Sequence, residues 1–276
     1  MKIIILCGGT GTRMKEETEF KPKPLVEVGG KPIIWHIMKI YAHHGFNDFI
    51  LALGYKGNMI KEYFLHWQIF LNDFTLETKN NNLVFHKNDC DDFKITFAET
   101  GAESLTGERV RRAAKYLDEN EDFMVSYGDG VGDIDIKKLV EFHHNQNTPV
   151  TITGVKPSTR YGLLDIDYQN KKIKGFYQHK VTDKEEKQEQ FRDYINEEKQ
   201  EQFRDYINGG FMVFKKQALD YIAPDSMIES IFTPLAVRGE LSVFLHPGRW
   251  KCMDTYKEVE EMNENWLKDP FWKVWN

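Results

Sequence analysis

The sequence predicts an α/β fold built on an open, mixed and mostly parallel sheet flanked by helices. Two observations carry that expectation: short apolar runs alternate with stretches of helical periodicity, and glycines, cations and carboxylates stand directly after those runs. In open α/β sheets, functional groups collect at the carboxyl ends of the strands.

The elements follow in order. Residues 2–6 form the first apolar strand, which breaks into Cys7-Gly8-Gly9. Ile33, Ile34, Ile37, Met38 and Tyr41 make an apolar stripe at helical spacing that ends at Gly45, and residues 49–53 are the next buried strand. Helical spacing returns over 59–70. After an excursion rich in Asn and Asp, 95–98 reads as a strand and 108–117 as a helix carrying Arg109, Arg111, Arg112 and Lys115. Residues 123–127 form a strand whose end delivers Gly128-Asp129-Gly130. Residues 148–155, 163–166 and 210–214 supply further strands.

Composition narrows the function classes. The 276 residues suffice for one large core, and a formal net charge of −6 argues against general binding to nucleic acid or an anionic membrane. The opening apolar run is too short for a signal peptide, and no stretch approaches the roughly 18 apolar residues of a membrane helix. Cys7, Cys90 and Cys252 form neither a C-x-x-C pair nor an even disulfide set, which points to a reducing cytoplasm.

Three glycines within Gly8-Gly9-Thr10-Gly11 remove Cβ atoms from between the backbone amides and an anionic ligand. The turn is not the P-loop, because arginine rather than Lys-Ser/Thr closes it, and G-G-x-G is not the dinucleotide spacing. An ordinary glycine-rich loop is the competing reading. Lys21-Pro22-Lys23-Pro24 weighs against it, since each proline holds the lysine before it extended and both ammonium groups project to one side. With Arg13 they read as a nucleoside triphosphate site. Asp129, at a strand end between glycines, suits Mg²⁺, which takes one or two carboxylates plus phosphate oxygens. A simple turn is the alternative there. Calcium in an EF-hand loop is excluded, because position twelve from Asp129 is Val140 rather than Glu.

Together with Trp35-His36-Ile37-Met38, Gly54-Tyr55-Lys56-Gly57 and Tyr127-Gly128-Asp129-Gly130, these segments make the chain similar to the sugar-phosphate nucleotidylyltransferases along nearly its whole length. The resemblance implies a Rossmann-like, GT-A-like nucleotidyltransferase domain over 1–255, with a nucleotide half at about 1–130, a small sugar-binding β region within 131–255, and a helical tail over 256–276. It implies Mg²⁺-dependent transfer from CTP to glucose 1-phosphate, giving CDP-glucose for deoxysugar and O-antigen precursors, in a homo-oligomeric enzyme. A UTP- or dTTP-using enzyme is the rival, and an inactive nucleotide-binding regulatory paralogue is the alternative of a different class.

By the same resemblance, nucleotide contacts fall to Leu6, Cys7, Gly8, Gly9, Thr10, Gly11, Thr12, Arg13, Lys23, Ser104, Arg109 and Gly128, with Arg13 and Lys23 catalytic. Mg²⁺ falls to Asp129 and Asp254. Read without the resemblance, Asp254 is an N-cap for the helix near Tyr256, and Ser104 with Arg109 are a helix cap and first-turn charge. Asn208, Gly209 and Arg160 match sugar-phosphate positions. The family's Glu-Lys-Pro after a Phe is missing, since Phe176 leads into Tyr177-Gln178-His179-Lys180, and Lys180 stands as a substitute from a shifted register.

Residues 185–196 and 197–208 repeat E-E-K-Q-E-Q-F-R-D-Y-I-N without change, a duplication rather than a solenoid. Loop lengthening costs only about 0.6 kcal/mol per doubling, so the fold tolerates it. Trp266, Phe271, Trp272 and Trp275 crowd the end of the chain and pack either on the chain itself or on a neighbouring subunit.

Overall fold

The computed structural model describes residues 1–11, 14, 18–87, 90–156, 163–167, 170–177 and 206–275. β1 (Ile3–Cys7) leads through a 3-10 turn (Lys23–Leu25) and the short hairpin β2 (Glu27–Val28) and β3 (Lys31–Pro32) into α1 (Ile33–His43). β4 (Asp48–Leu53), α2 (Gly57–Leu65), α3 (Trp67–Leu71), the hairpin β5 (Phe74–Glu77) and β6 (Asn82–Phe85), β7 (Lys94–Glu99) and α4 (Thr106–Ala113) follow. The second half runs through β8 (Phe123–Tyr127), β9 (Gly130–Gly132), α5 (Ile136–Gln146), β10 (Val150–Val155), β11 (Leu163–Asp167), β12 (Lys172–Tyr177) and β13 (Ile207–Phe214). α6 (Phe232–Val237), β14 (Leu241–Leu245), β15 (Trp250–Cys252) and α7 (Tyr256–Lys268) complete it.

β1 lies at the centre, parallel to β4 on one side and to β8 on the other, with β7 parallel beyond β4. Beyond β8 the direction reverses: β13 is antiparallel to β8, β10 antiparallel to β13, and β14 parallel to β10. Because the chain leaves β1 toward β4 and returns on the far side at β8, β1 marks a topological switch point, where such sheets open a crevice at their carboxyl edge. Every residue of β1 is buried, as a parallel central strand covered on both faces requires. Its side chains alternate: Ile3, Ile5 and Cys7 join the core beneath α1, α5 and α7, while Ile4 and Leu6 join the core beneath α4 and α6.

Local chemistry redraws several sequence boundaries. The helical spacing over 59–70 breaks at His66 into α2 and α3, and the helix expected over 108–117 ends at Ala113 and continues as one 3-10 turn. The polar excursion contains the β5–β6 hairpin, turned at Asn81 with φ +55° and an Asn82 N–H to Asn80 Oδ1 bond of 3.2 Å. Lys23 begins a turn instead of lying in an extended segment. Bonds from Leu25 N–H to Pro22 O (2.8 Å) and from Val26 N–H to Lys23 O (3.0 Å) close that turn over the pre-proline preference. Among the described residues no helix is long and apolar enough to cross a membrane.

The aromatic tail folds back on the start of α1. Trp272 is fully buried and donates its indole N–H to His36 Nδ1 at 3.2 Å, while His36 Nε2 donates to Val28 O at 2.8 Å. Trp266 and Trp275 close the cage edge-on to His36 and Trp35, with centroids 4.8 and 5.5 Å apart. Burial pushes the His36 imidazole down to about 4, and that of His143, which pairs with Thr151 Oγ1 at 2.8 Å, down to about 4 as well. Both rings therefore fold neutral and charge readily only when the chain unfolds, so stability is complete above pH 6.5 and is lost as pH falls toward 4. In urea unfolding, His36 alone should cost about 2 kcal/mol between pH 7 and pH 5, above the range where most carboxylates titrate. A stability that stays flat across that window would show that the cage accepts the charge.

Candidate active site

At the carboxyl edge of the sheet, the guanidinium of Arg109 joins three loops. It reaches from α4, almost fully buried, and donates to Gly8 O (2.9 Å) after β1, to Leu53 O (3.2 Å) at the end of β4, and to Thr100 Oγ1 (2.9 Å), Gly101 O (2.7 Å) and Ala102 O (3.0 Å) after β7. Backbone carbonyls receive nearly all of its donors. A Cβ on Gly8 would stand 2.1 Å from Arg109 Nη1, and one on Gly54 would stand 2.3 Å away. Gly8 is thus glycine because Arg109 lies against it, whereas a Cβ on Gly9 would meet none of the described residues within 4 Å. Ser104 tightens the same loop by donating to Thr100 O at 2.5 Å; it does not cap α4, whose N-cap residue is Leu105.

Leu6 and Cys7 are buried in the strand beneath this loop, and burial pushes the Cys7 thiol far up, so it stays protonated and inert. Thr10 is exposed beyond Gly9, and Gly11 accepts Thr18 Oγ1–H at 3.0 Å. Thr12 and Arg13 lie outside the described residues, as do Arg160 and Lys180.

The charged centre is assembled from three distant segments. β9 pairs antiparallel with β15, Gly130 opposite Cys252, and Met253 N–H donates to Asp129 O at 3.0 Å. That ladder places Asp129 and Asp254 side by side, and Lys23 Nζ bridges them at 2.7 Å from Asp129 Oδ2 and 2.6 Å from Asp254 Oδ1. Burial alone would lower the Lys23 ammonium, but the two carboxylates outweigh it and raise it well above its ordinary range. Among the described residues, the two acids share the Lys23 ammonium. Gly128 is buried beside it, against Leu6 O and Pro24.

Asp254 is free of the capping role expected from sequence alone. Thr255 caps α7 in a capping box, its Oγ1 accepting Glu258 N–H at 3.3 Å while Glu258 Oε2 accepts the N–H groups of Asp254 and Thr255, each at 2.7 Å. Two carboxylates without nitrogen or sulfur ligands are a donor set suited to a hard cation such as Mg²⁺, which completes its shell with water and phosphate oxygens. Among the described residues no group of three or more His, Cys, Asp and Glu could hold a metal by itself.

Asn208, Gly209 and Gly210 open β13 beside the centre, pinned from two sides. Gly210 has φ +79° and a Cβ there would stand 2.5 Å from the Tyr127 ring, while Trp250 Nε1–H donates to Gly209 O at 2.8 Å. Sequence pattern carried no signal for Trp250 or for Asp133, whose Oδ1 accepts His246 Nε2–H (2.8 Å) and Arg249 N–H (2.7 Å) and thereby sets the loop entering β15. Trp250 acts on backbone 41 residues away and Asp133 on backbone 116 residues away, contacts that no local motif encodes.

Removing the Arg109 side chain strips donors from four buried or half-buried carbonyls at once. Arg109→Ala should therefore lower global stability by about 3 kcal/mol, and Arg109→Lys should recover less than half of it, because a point charge cannot span the fork. Urea unfolding reads both, and unchanged stability with weakened nucleotide binding alone would contradict this assignment.

Residues 2–265 match the family described as Nucleotidyl transferase. The chain is 40% identical over 279 residues to the glucose-1-phosphate cytidylyltransferase of Salmonella typhi, covering 100% of both chains. It is 39% identical over 279 residues to the probable glucose-1-phosphate cytidylyltransferase of Bacillus subtilis (strain 168), again covering 100% of each. In three dimensions it is similar to HddC from Yersinia pseudotuberculosis, with a TM-score of 0.71 at 23% identity over 96% of this chain and 99% of that one, a likeness of fold alone. With a crevice at the β1 switch point, a glycine loop and a lysine held between two aspartates, the chain belongs to the nucleotidyl transferase family.

Proposed function

We propose that the protein transfers the cytidylyl group of CTP to α-D-glucose 1-phosphate, forming CDP-glucose and releasing pyrophosphate. The observation that carries this reading is Lys23 Nζ held between Asp129 and Asp254, at 2.7 and 2.6 Å, beside the glycine loop. The full-length likeness to enzymes named for that reaction supports the choice of substrates.

The chemistry asks for charge management more than for acid–base work. A sugar phosphate is largely dianionic near neutral pH, so its oxygen attacks the α-phosphorus of CTP with no proton to remove. The new O–P bond forms as the bond from the α-phosphorus to the bridging β-phosphate oxygen breaks, and the electron pair leaves with pyrophosphate. Lys23, kept charged by its acids, neutralises the phosphates that meet at the α-phosphorus. The amides of Gly9 to Gly11 with Arg13 hold the β- and γ-phosphates, and Asn208 with Gly209 takes the sugar phosphate, joined by Arg160 and Lys180. Asp129 and Asp254 hold Mg²⁺, which when bound supplies neutralisation of the departing pyrophosphate. Arg109 serves the nucleotide indirectly, through the loop carbonyls it fixes. None of Cys7, Cys90 and Cys252 is in a disulfide, which supports a reducing, cytoplasmic setting.

Pyrophosphate release, with glucose 1-phosphate and Mg²⁺ and with CTP, UTP, dTTP, ATP and GTP offered separately, tests the reading. Release with CTP is expected, and Lys23→Ala should lose roughly a hundredfold in turnover, the scale of removing one preorganised charge-stabilising donor. Preference for UTP or dTTP would reassign the base, and silence with all five in folded, CTP-binding protein would make the chain a regulatory paralogue.

A further inference from the structure

A carboxylate outside the charged centre is wired into the sugar side of the crevice. Glu229 lies in the 3-10 turn Ile228–Ile231, packed against the start of α4. Thr106 Oγ1–H donates to Glu229 Oε2 at 3.2 Å, and the same hydroxyl oxygen accepts Ile228 N–H at 2.9 Å. The other carboxylate oxygen accepts the phenol O–H of Tyr127, two residues before Asp129. With its proton committed there, the Tyr127 oxygen accepts Asn208 Nδ2–H at 3.5 Å, and Asn208 Oδ1 accepts Gly210 N–H at 2.9 Å.

Each proton in this chain of bonds has one direction. A flipped Asn208 amide would set its NH₂ against the Gly210 N–H, donor to donor, and its oxygen against a phenol whose only proton is already given to Glu229. Asn208 is consequently oriented with its NH₂ on Tyr127, one hydrogen bonded there and the second able to donate to an acceptor.

We infer that Glu229 is a positioning residue for the sugar 1-phosphate: through Tyr127 it fixes the Asn208 amide as an N–H donor toward the acceptor substrate's phosphate. This rests on the proposed function, in which Asn208 meets that phosphate. Lysine and arginine confer charge at such a site, whereas an oriented amide N–H confers direction, aligning one acceptor oxygen of the substrate.

Steady-state kinetics on the full chain test it, with KM for glucose 1-phosphate and for CTP measured separately. Glu229→Ala should raise KM for glucose 1-phosphate roughly tenfold, what one hydrogen bond to a charged group contributes, and leave KM for CTP within about twofold. Glu229→Gln should remain near wild type, because its amide oxygen still accepts the phenol proton. Asn208→Asp, which replaces the donor by an acceptor at constant shape, should lose glucose 1-phosphate at least as severely, and it keeps the proposal testable if Glu229→Ala does not fold. A parallel reading of the Tm increase caused by glucose 1-phosphate alone needs no turnover, and should vanish in Glu229→Ala and Asn208→Asp but survive in Glu229→Gln. Equal shifts in both KM values, a Gln variant as impaired as Ala, or an Asp variant that binds like wild type would overturn the inference while leaving the enzymatic reading intact. A wild-type protein that neither turns over nor is stabilised by glucose 1-phosphate would overturn both.

Discussion

One ammonium shared by two carboxylates is the constraint around which the crevice is organised. Asp129 and Asp254 are partly buried and adjacent, with side chains 29% and 16% exposed, and two acids in such a place repel unless a cation lies between them. Lys23 supplies it from a third segment. The turn at Pro22 to Leu25, the end of β8 and the β9–β15 ladder are thus mutually dependent: displacing any one leaves buried charge without its partner, which costs more than the intact pair contributes.

Around the centre, precision comes from side chains directed at backbone. Arg109 spends its fork on carbonyls of the β1, β4 and β7 loops, Trp250 donates to Gly209, and Asp133 accepts from the backbone of Arg249. Each ties a loop to the rigid carboxyl edge of the sheet. This explains why the glycines serve two ends. Gly8 and Gly210 are small because a guanidinium and a phenol ring pack on them, and Gly9 is small where a Cβ would meet none of the described residues.

Much of the framework was legible in the chain. β1, β4 and β8 are apolar runs that parallel strands buried on both faces must have, and the glycines and Asp129 stood where their ends were expected. Lys23 was legible as a cation near the phosphate loop, though its role as the counterion of two acids was not, because that depends on a pairing of β9 with β15 across more than a hundred residues. Asp254 read as a cap until Thr255 and Glu258 proved to be the capping box. The fork of Arg109 onto the carbonyls of three loops was not legible, since sequence cannot tell a guanidinium facing solvent from one buried among carbonyls. Glu229 carried no local signal at all. Its partners Thr106 and Tyr127, and Asn208 beyond Tyr127, come from α4, β8 and β13, and only the folded sheet brings them together.

The central claim is that Lys23 balances both acids at once, and a double-mutant cycle on stability tests it without reference to catalysis. Urea unfolding would be measured for wild type, Lys23→Ala, Asp254→Asn and the pair combined. Lys23→Ala should lose roughly 2–3 kcal/mol by leaving two facing carboxylates uncompensated, and adding Asp254→Asn should restore at least about 1 kcal/mol of that loss by removing their repulsion. Losses that simply add, with the double variant the least stable of the four, would mean that the three groups do not share one electrostatic site.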